Sequence, residues 1–162
     1  MKKNIKEIVS EQFDFLIKDF KFQLLSFTES NGGLCARFIN EYCGVCIKYE
    51  FREAFVFITL HQVVEGKIAE NQRPFTSDSK INAIPLDDVL AIKNPAAMIK
   101  PAYAYGANSE YYDKEHGLEL YVSRFSHNLR EYAADVLTGD LEIFSKIAPV
   151  IRRRFEYENK SK

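Results

Sequence analysis

Cys43-Gly44-Val45-Cys46 is the stretch of this chain that looks most like chemistry. Two cysteines two residues apart are the spacing of thiol–disulfide catalysts and of half a zinc site. A redox motif needs its first cysteine at a helix N-terminus, where the dipole favours the thiolate. The residues that follow, Ile47 to Phe51, instead alternate apolar and polar as a strand does. On a strand, side chains three apart point to opposite faces. Their Cα atoms lie ~10 Å apart at ~3.3 Å per residue, whereas a disulfide needs less than about 7 Å. A zinc site would need two further ligands, and there is no second CxxC, CxxH or HxxxH. The expectation is two reduced, metal-free thiols pointing apart and serving as small hydrophobes. Cys35 enters through register alone. A tight hairpin centred on Asn40–Glu41 would set it across from Cys46, and a longer loop through Gly44 would separate them.

The remaining chemical groups are scattered. His61 falls near a strand end, His127 on the polar side of a helix, and His116 among Glu110, Asp113, Glu115 and Glu119. That loop has the residue types of a general acid–base pair, but an exposed acidic loop with a solvated histidine is the simpler reading. Nucleophile elbows, phosphate-binding glycine loops and metalloprotease helices are absent. No catalytic residue, metal ligand or cofactor site is assigned, and the balance leans away from an enzyme. Arg152, Arg153 and Arg154 with Lys160 and Lys162 make a small basic cluster. Cations in a last helical turn offset the helix dipole; nucleic-acid binding would want more of them, interleaved with aromatics.

The net charge of −1 leaves no global field for nucleic acid or anionic lipid. Acidic residues interrupt every apolar stretch near the N-terminus, so neither a secretory leader nor a membrane span is expected. Three cysteines, an odd number, argue against a disulfide framework and for the cytoplasm.

The elements that must position these groups follow from periodicity. Ile5, Ile8, Val9, Phe13, Leu16 and Phe20 share one helical face. Residues 20–28, 34–40, 45–51 and 55–63 read as strands with short connections, the turn at 29–33 resting on Asn and Gly. The fourth, apolar on both faces, reads as central and covered on both sides. Residues 65–85 form a long loop or a pair of weak edge elements. A short helix follows at 85–94, then an irregular tyrosine-rich segment at 102–117. Leu118, Val122, Phe125, Leu129, Tyr132, Ala133, Val136 and Leu137 form one helical stripe. Gly139 ends that helix and Asp140 caps the next. Pro149 should kink or end this last helix, and the tail from Glu158 frays. The fold class is α+β over 1–162 as one domain. An antiparallel meander of about four strands carries an N-terminal helix and two C-terminal helices packed on it.

The surface-site candidate is the segment 103–121. Tyr103, Tyr105, Tyr111, Tyr112 and Tyr121 cluster there with Glu110, Asp113, Glu115, His116 and Glu119. Tyrosine combines large contact area with a polar tip, as binding hot spots do. An acidic aromatic loop suits a basic protein partner; equally, some of these rings pack the loop onto the core.

The stretches IKYEFRE (47–53), VFITL (56–60) and YAADVLTGDLEIF (132–144), in this order of elements, carry a resemblance. The chain resembles small bacterial proteins, some of which are similar to immunity proteins of contact-dependent or polymorphic toxin systems. The resemblance implies a protein-binding role in which a toxin is neutralised by occluding its active site; it transfers no site positions. The alternative is a small enzyme or ligand-binding domain. Its pocket would lie between sheet and helices, near His61, His116 and the 65–85 loop.

Overall fold

A computed structural model describes residues 2–160. Of the tail expected to fray, Ser161 and Lys162 lie outside the described residues. Two short helices, α1 (Ile5–Gln12) and α2 (Phe15–Phe20), lead into four long strands. These are β1 (Gln23–Ser30), β2 (Gly33–Ile39), β3 (Cys43–Glu50) and β4 (Phe55–Val64). Two brief strands, β5 (Lys67–Ile68) and β6 (Ala83–Pro85), both pair with β4, and every pairing is antiparallel. Then come α3 (Leu86–Lys93), three 3₁₀ turns between 95 and 112, α4 (Gly117–Leu137) and α5 (Glu142–Lys160). Among the described residues no helix is long and apolar enough to cross a membrane. The meander with helices at both chain ends is the expected α+β architecture. The weak elements suspected in 65–85 are β5 and β6.

The sheet buries one face. Leu34, Ala36 and Phe38 of β2, Cys43, Val45 and Ile47 of β3, and Val56, Ile58 and Leu60 of β4 point inward together. They meet Val9, Phe13 and Leu16 from the N-terminal helices and Val122, Phe125, Leu129 and Val136 from α4. Each such large side chain contributes roughly 1.5–3 kcal/mol. The other face, residues Cys35, Arg37, Cys46, Lys48, Phe57 and Thr59, has no helix over it.

Four expectations change. The N-terminal helix breaks at Phe13–Asp14, where Leu16 and Ile17 donate to the carbonyls of Phe13 and Asp14 three residues back rather than four. β4 is central but covered on one face only, and Phe57 remains 43 % exposed. Phe51, expected inward, lies in the turn after β3 and is exposed. α5 does not end at Pro149 but continues past it to Lys160. The proline sits on the exposed face, so the Ser145 carbonyl it leaves without an N–H partner faces water. The helix stop before α5 is as expected: Gly139 adopts φ 111°, and Asp140 Oδ1 accepts the Glu142 N–H at 3.1 Å.

One side chain joins the element ends. Asn40, in the β2–β3 turn, donates from Nδ2 to the carbonyls of Phe20 and Leu137, the last residues of α2 and α4, at 3.1 and 3.0 Å. Its Oδ1 accepts from the backbone N–H groups of Tyr42 and Cys43 at 2.8 and 2.9 Å. All its donors and acceptors are in use. Asn40→Ala leaves two helix-terminal carbonyls and two turn amides unpaired and is expected to cost about 2–3 kcal/mol in urea denaturation. Asn40→Asp should be no better, because a carboxylate cannot donate and sets negative charge at two helix C-termini.

Candidate functional site

The tyrosine segment is built as a wedge on α4. Tyr121 is buried in α4 and donates its hydroxyl to the Lys100 carbonyl at 2.7 Å. Burial, then the neighbouring tyrosine rings, pushes its pKa above the usual phenol range. Tyr111 stands edge-on to Tyr121 at 5.1 Å between ring centroids, and Tyr105 edge-on to Tyr111 at 5.1 Å. The Tyr105 hydroxyl accepts the Lys100 N–H. Asn128 Nδ2 donates to the Ala97 carbonyl, and Asn94 Nδ2 to the Tyr132 hydroxyl, so α4 holds the segment at several points.

The other residues of the expected cluster therefore separate by role. Tyr103 is 65 % exposed and Tyr112 47 %, with Tyr105 partly covered. Tyr111 is half-buried and packs on the core. Asp113 Oδ2 accepts the N–H groups of Glu115 and His116, which starts α4. Glu119 is tied to Lys3 at 2.9 Å and Glu110 faces Arg124 at 3.5 Å. Glu115 and His116 stay exposed beside each other. Part of the acidity visible in the chain is thus compensated by cations from elsewhere.

A second site lies on the open sheet face. Residues 68–73 cross this face as a strap, and each fastening is specific. The Ala69 N–H donates to the Gln62 carbonyl. Asn71 Oδ1 accepts the N–H groups of Asn82 and Ala83, and its Nδ2 donates to the Ala83 carbonyl, imitating a strand. Ile68 drops onto Gly44, opposite His61 in the β3–β4 register, where a Cβ would meet the Ile68 side chain at 2.6 Å. At the far side Glu70 takes a hydrogen bond from Arg37 of β2 at 2.9 Å. Between strap and sheet opens a cleft of about 670 Å³, lined by Cys35, Arg37, Cys46, Lys48, Phe57, Thr59, His61, Glu70, Asn71, Arg73 and Ala83.

His61 is buried under the strap, and its Nδ1 lies 3.0 Å from the Ala69 carbonyl. A carbonyl only accepts, so Nδ1 carries a hydrogen in this contact. Nε2 has no hydrogen-bond partner among the described residues. Cys35 and Cys46 are not directly opposed: Cys46 faces Arg37 and Cys35 faces Lys48. They are diagonal neighbours with Sγ atoms 3.5 Å apart, and all three cysteines are free. Cys43 points into the core and Cys46 away from it, as the alternation requires. Burial pushes the Cys46 thiol up to about 12, helped by Cys35 beside it, and burial alone does the same to Cys43. Both hold their protons at neutral pH and are poor nucleophiles. Among the described residues no three His, Cys, Asp or Glu side chains converge as a metal site.

His61 and the 65–85 segment do share a cleft, but on the sheet face away from the helices, and His116 does not line it. A smaller cavity between Gln62, Lys80 and α5 lies on the helix side, also without His116. The sequence reading missed Arg37, Lys48, Phe57, Glu70 and Arg73. Their alternation with the core residues of β2, β3 and β4 was the available signal for the first three. The arginines after Pro149 are fasteners: Arg152 donates to the Ser79 carbonyl and Arg154 to both oxygens of Asp88. Comparison with protein-family models, curated proteins and solved structures finds no match.

Two outcomes are expected. Gly44→Val should push Ile68 and the strap off the sheet at a cost of about 1–3 kcal/mol, and adding Ile68→Ala should restore part of it in denaturant titrations. The thiols should make the fold sensitive to alkali. Their folded pKa lies above that of an ordinary thiol, so the native state holds more protons than the unfolded chain. That stabilisation is full below pH 9 and drains away as pH rises towards about 12. Cys43→Ala should show a shallower loss over that window.

Proposed function

We propose that the chain is a protein-binding protein of the immunity type, which engages a basic toxin domain and covers its active site with the tyrosine surface. The observation that supports this reading is a pair of exposed tyrosines, Tyr103 and Tyr112, on a base that α4 pins. An interface gains most from large rings whose ordering is already complete in the free protein. Tyr105 and Tyr111 supply that order by stacking down to Tyr121. Glu115 and Asp113 add negative charge at the rim, which speeds encounter with a basic partner more than it tightens the complex. In this reading the protein acts in the cytoplasm, on a toxin that would otherwise reach its target there.

The test pairs capture with inhibition. The chain, used as bait in its native strain, should retain a basic toxin domain and suppress that domain's activity in vitro. Tyr103→Ala with Tyr112→Ala should weaken the complex by about tenfold or more while the melting temperature holds. Tyr111→Ala alone should cost about 2 kcal/mol of stability, since its ring is part of the stack. Undiminished inhibition by the Tyr103/Tyr112 variant, or a captured partner whose activity is unaffected, would sink the reading.

A further inference from the structure

We infer that the cleft between the open sheet face and the 68–73 strap binds a small organic anion, with its charged head held by Lys48 and Arg73 and its flat apolar body lying over Phe57. This site stands apart from the tyrosine surface and does not depend on the protein-binding reading.

The charge on its walls is the first ground. Of the four ionic side chains lining the cleft, Arg37 and Glu70 neutralise each other at 2.9 Å. Lys48 and Arg73 have no carboxylate partner among the described residues. Among the described residues outside the cleft, Lys3, Lys18, Lys93, Arg124, Arg130, Lys146 and Arg154 meet carboxylates. Exposed cations such as Lys21, Arg52 and Lys80, like Lys48 and Arg73, do not. What sets Lys48 and Arg73 apart is that they share one concavity. In a chain of net charge −1, two free cations in one concavity form a local positive field.

The floor is the second ground. Phe57 is 43 % exposed; its ring stands edge-to-face against Phe55 at 4.9 Å, Lys48 is its cross-strand partner, and Thr59, Cys46 and Cys35 line the cleft with it. Two thiols and an aromatic ring make a soft, weakly hydrated floor for a planar body. His61 Nε2 adds one polar ring atom, which fixes orientation through a hydrogen bond with the ligand. The volume of about 670 Å³ is within the range of small-molecule sites.

Preorganisation is the third. The Asn71 side chain, the Ala69 N–H and the Arg37–Glu70 pair hold the strap in place without a ligand. A site whose walls stand before binding loses less affinity to ordering.

The experiment titrates the full chain with AMP, salicylate and inorganic phosphate, with adenosine as the neutral control, by calorimetry and amide NMR. Expected is saturable binding of AMP or salicylate, weakened by salt, with shifts centred on Cys46, Lys48, Phe57, Thr59 and His61. Phosphate alone should bind more weakly, and adenosine weakest. Lys48→Ala with Arg73→Ala should raise Kd at least tenfold without changing the melting temperature, since both side chains are exposed. Arg153→Ala, on the exposed side of α5, should leave it unchanged. As a second readout, bound AMP or salicylate should slow N-ethylmaleimide labelling of Cys35 in the native chain. Three results would overturn the site: no saturable shift from any anion at millimolar concentration, shifts centred elsewhere, or adenosine binding as well as AMP.

Discussion

The amide of Asn40 is the constraint on which the arrangement of layers depends. A helix C-terminus leaves carbonyls without intrahelical partners, and here two helices end at the same place. One planar NH₂ group serves Phe20 of α2 and Leu137 of α4, while the oxygen of the same amide closes the β2–β3 turn. The geometry leaves little freedom. If the turn shifted register, the amide would leave both helix ends, and the helices would lose their common reference to the sheet. The Tyr42 ring, two residues on, packs against Gly139 just past α4, so polar and apolar contacts tie the same corner.

With the helices committed to one face, the other face must be managed differently. An open sheet face carrying Phe57 and two cysteines invites association. The chain closes part of it with its own 68–73 segment. That closure needs Gly44, because Ile68 occupies the space its Cβ would take, and it needs a side-chain amide, Asn71, to replace strand hydrogen bonds where the chain is irregular. Coverage stops short of Lys48 and Phe57, and the uncovered remainder is the cleft.

The periodic part of this architecture was legible in the residues. The alternation from Val45 to Glu50 placed Cys43 and Cys46 on opposite faces, and the stripe from Leu118 to Leu137 gave α4 its buried side. What was not legible depended on distance in the chain. The β2–β3 turn decides whether Cys46 meets Cys35 or Arg37, and it is closed by the Asn40 side chain, whose two helix partners lie far off in the chain; the outcome is a diagonal contact between the two alternatives considered. The tyrosine cluster was visible, but not that Tyr111 is a packing residue and Tyr112 a surface one, since that depends on Tyr121 ten residues later. Pro149 misled because a proline on a solvent-facing side of a long amphipathic helix costs only a carbonyl that water can serve.

The two candidate sites are connected through rings. From the cleft, Phe57 meets Phe55 at 4.9 Å, Phe55 meets Phe125 of α4 at 5.4 Å, and Phe125 meets Tyr121 at 5.1 Å. Tyr111 and Tyr105 continue the series to the tyrosine surface. Successive rings stand at 67–88° to one another, the edge-to-face arrangement that aromatic quadrupoles favour. Such a stack resists the rotation of any one ring, because each edge is held by the face of the next. Tyr105 and Tyr111 are therefore seated on the core through the stack, and Tyr103 and Tyr112 lie beside them in a segment that contains no regular helix or strand longer than a single turn. That surface is held both by ring packing and by the backbone hydrogen bonds of its 3₁₀ turns, among them Ala104 N–H to the Pro101 carbonyl, Gly106 N–H to that of Tyr103 and Tyr112 N–H to that of Ser109, and the ring series reaches back to the residue that also floors the cleft.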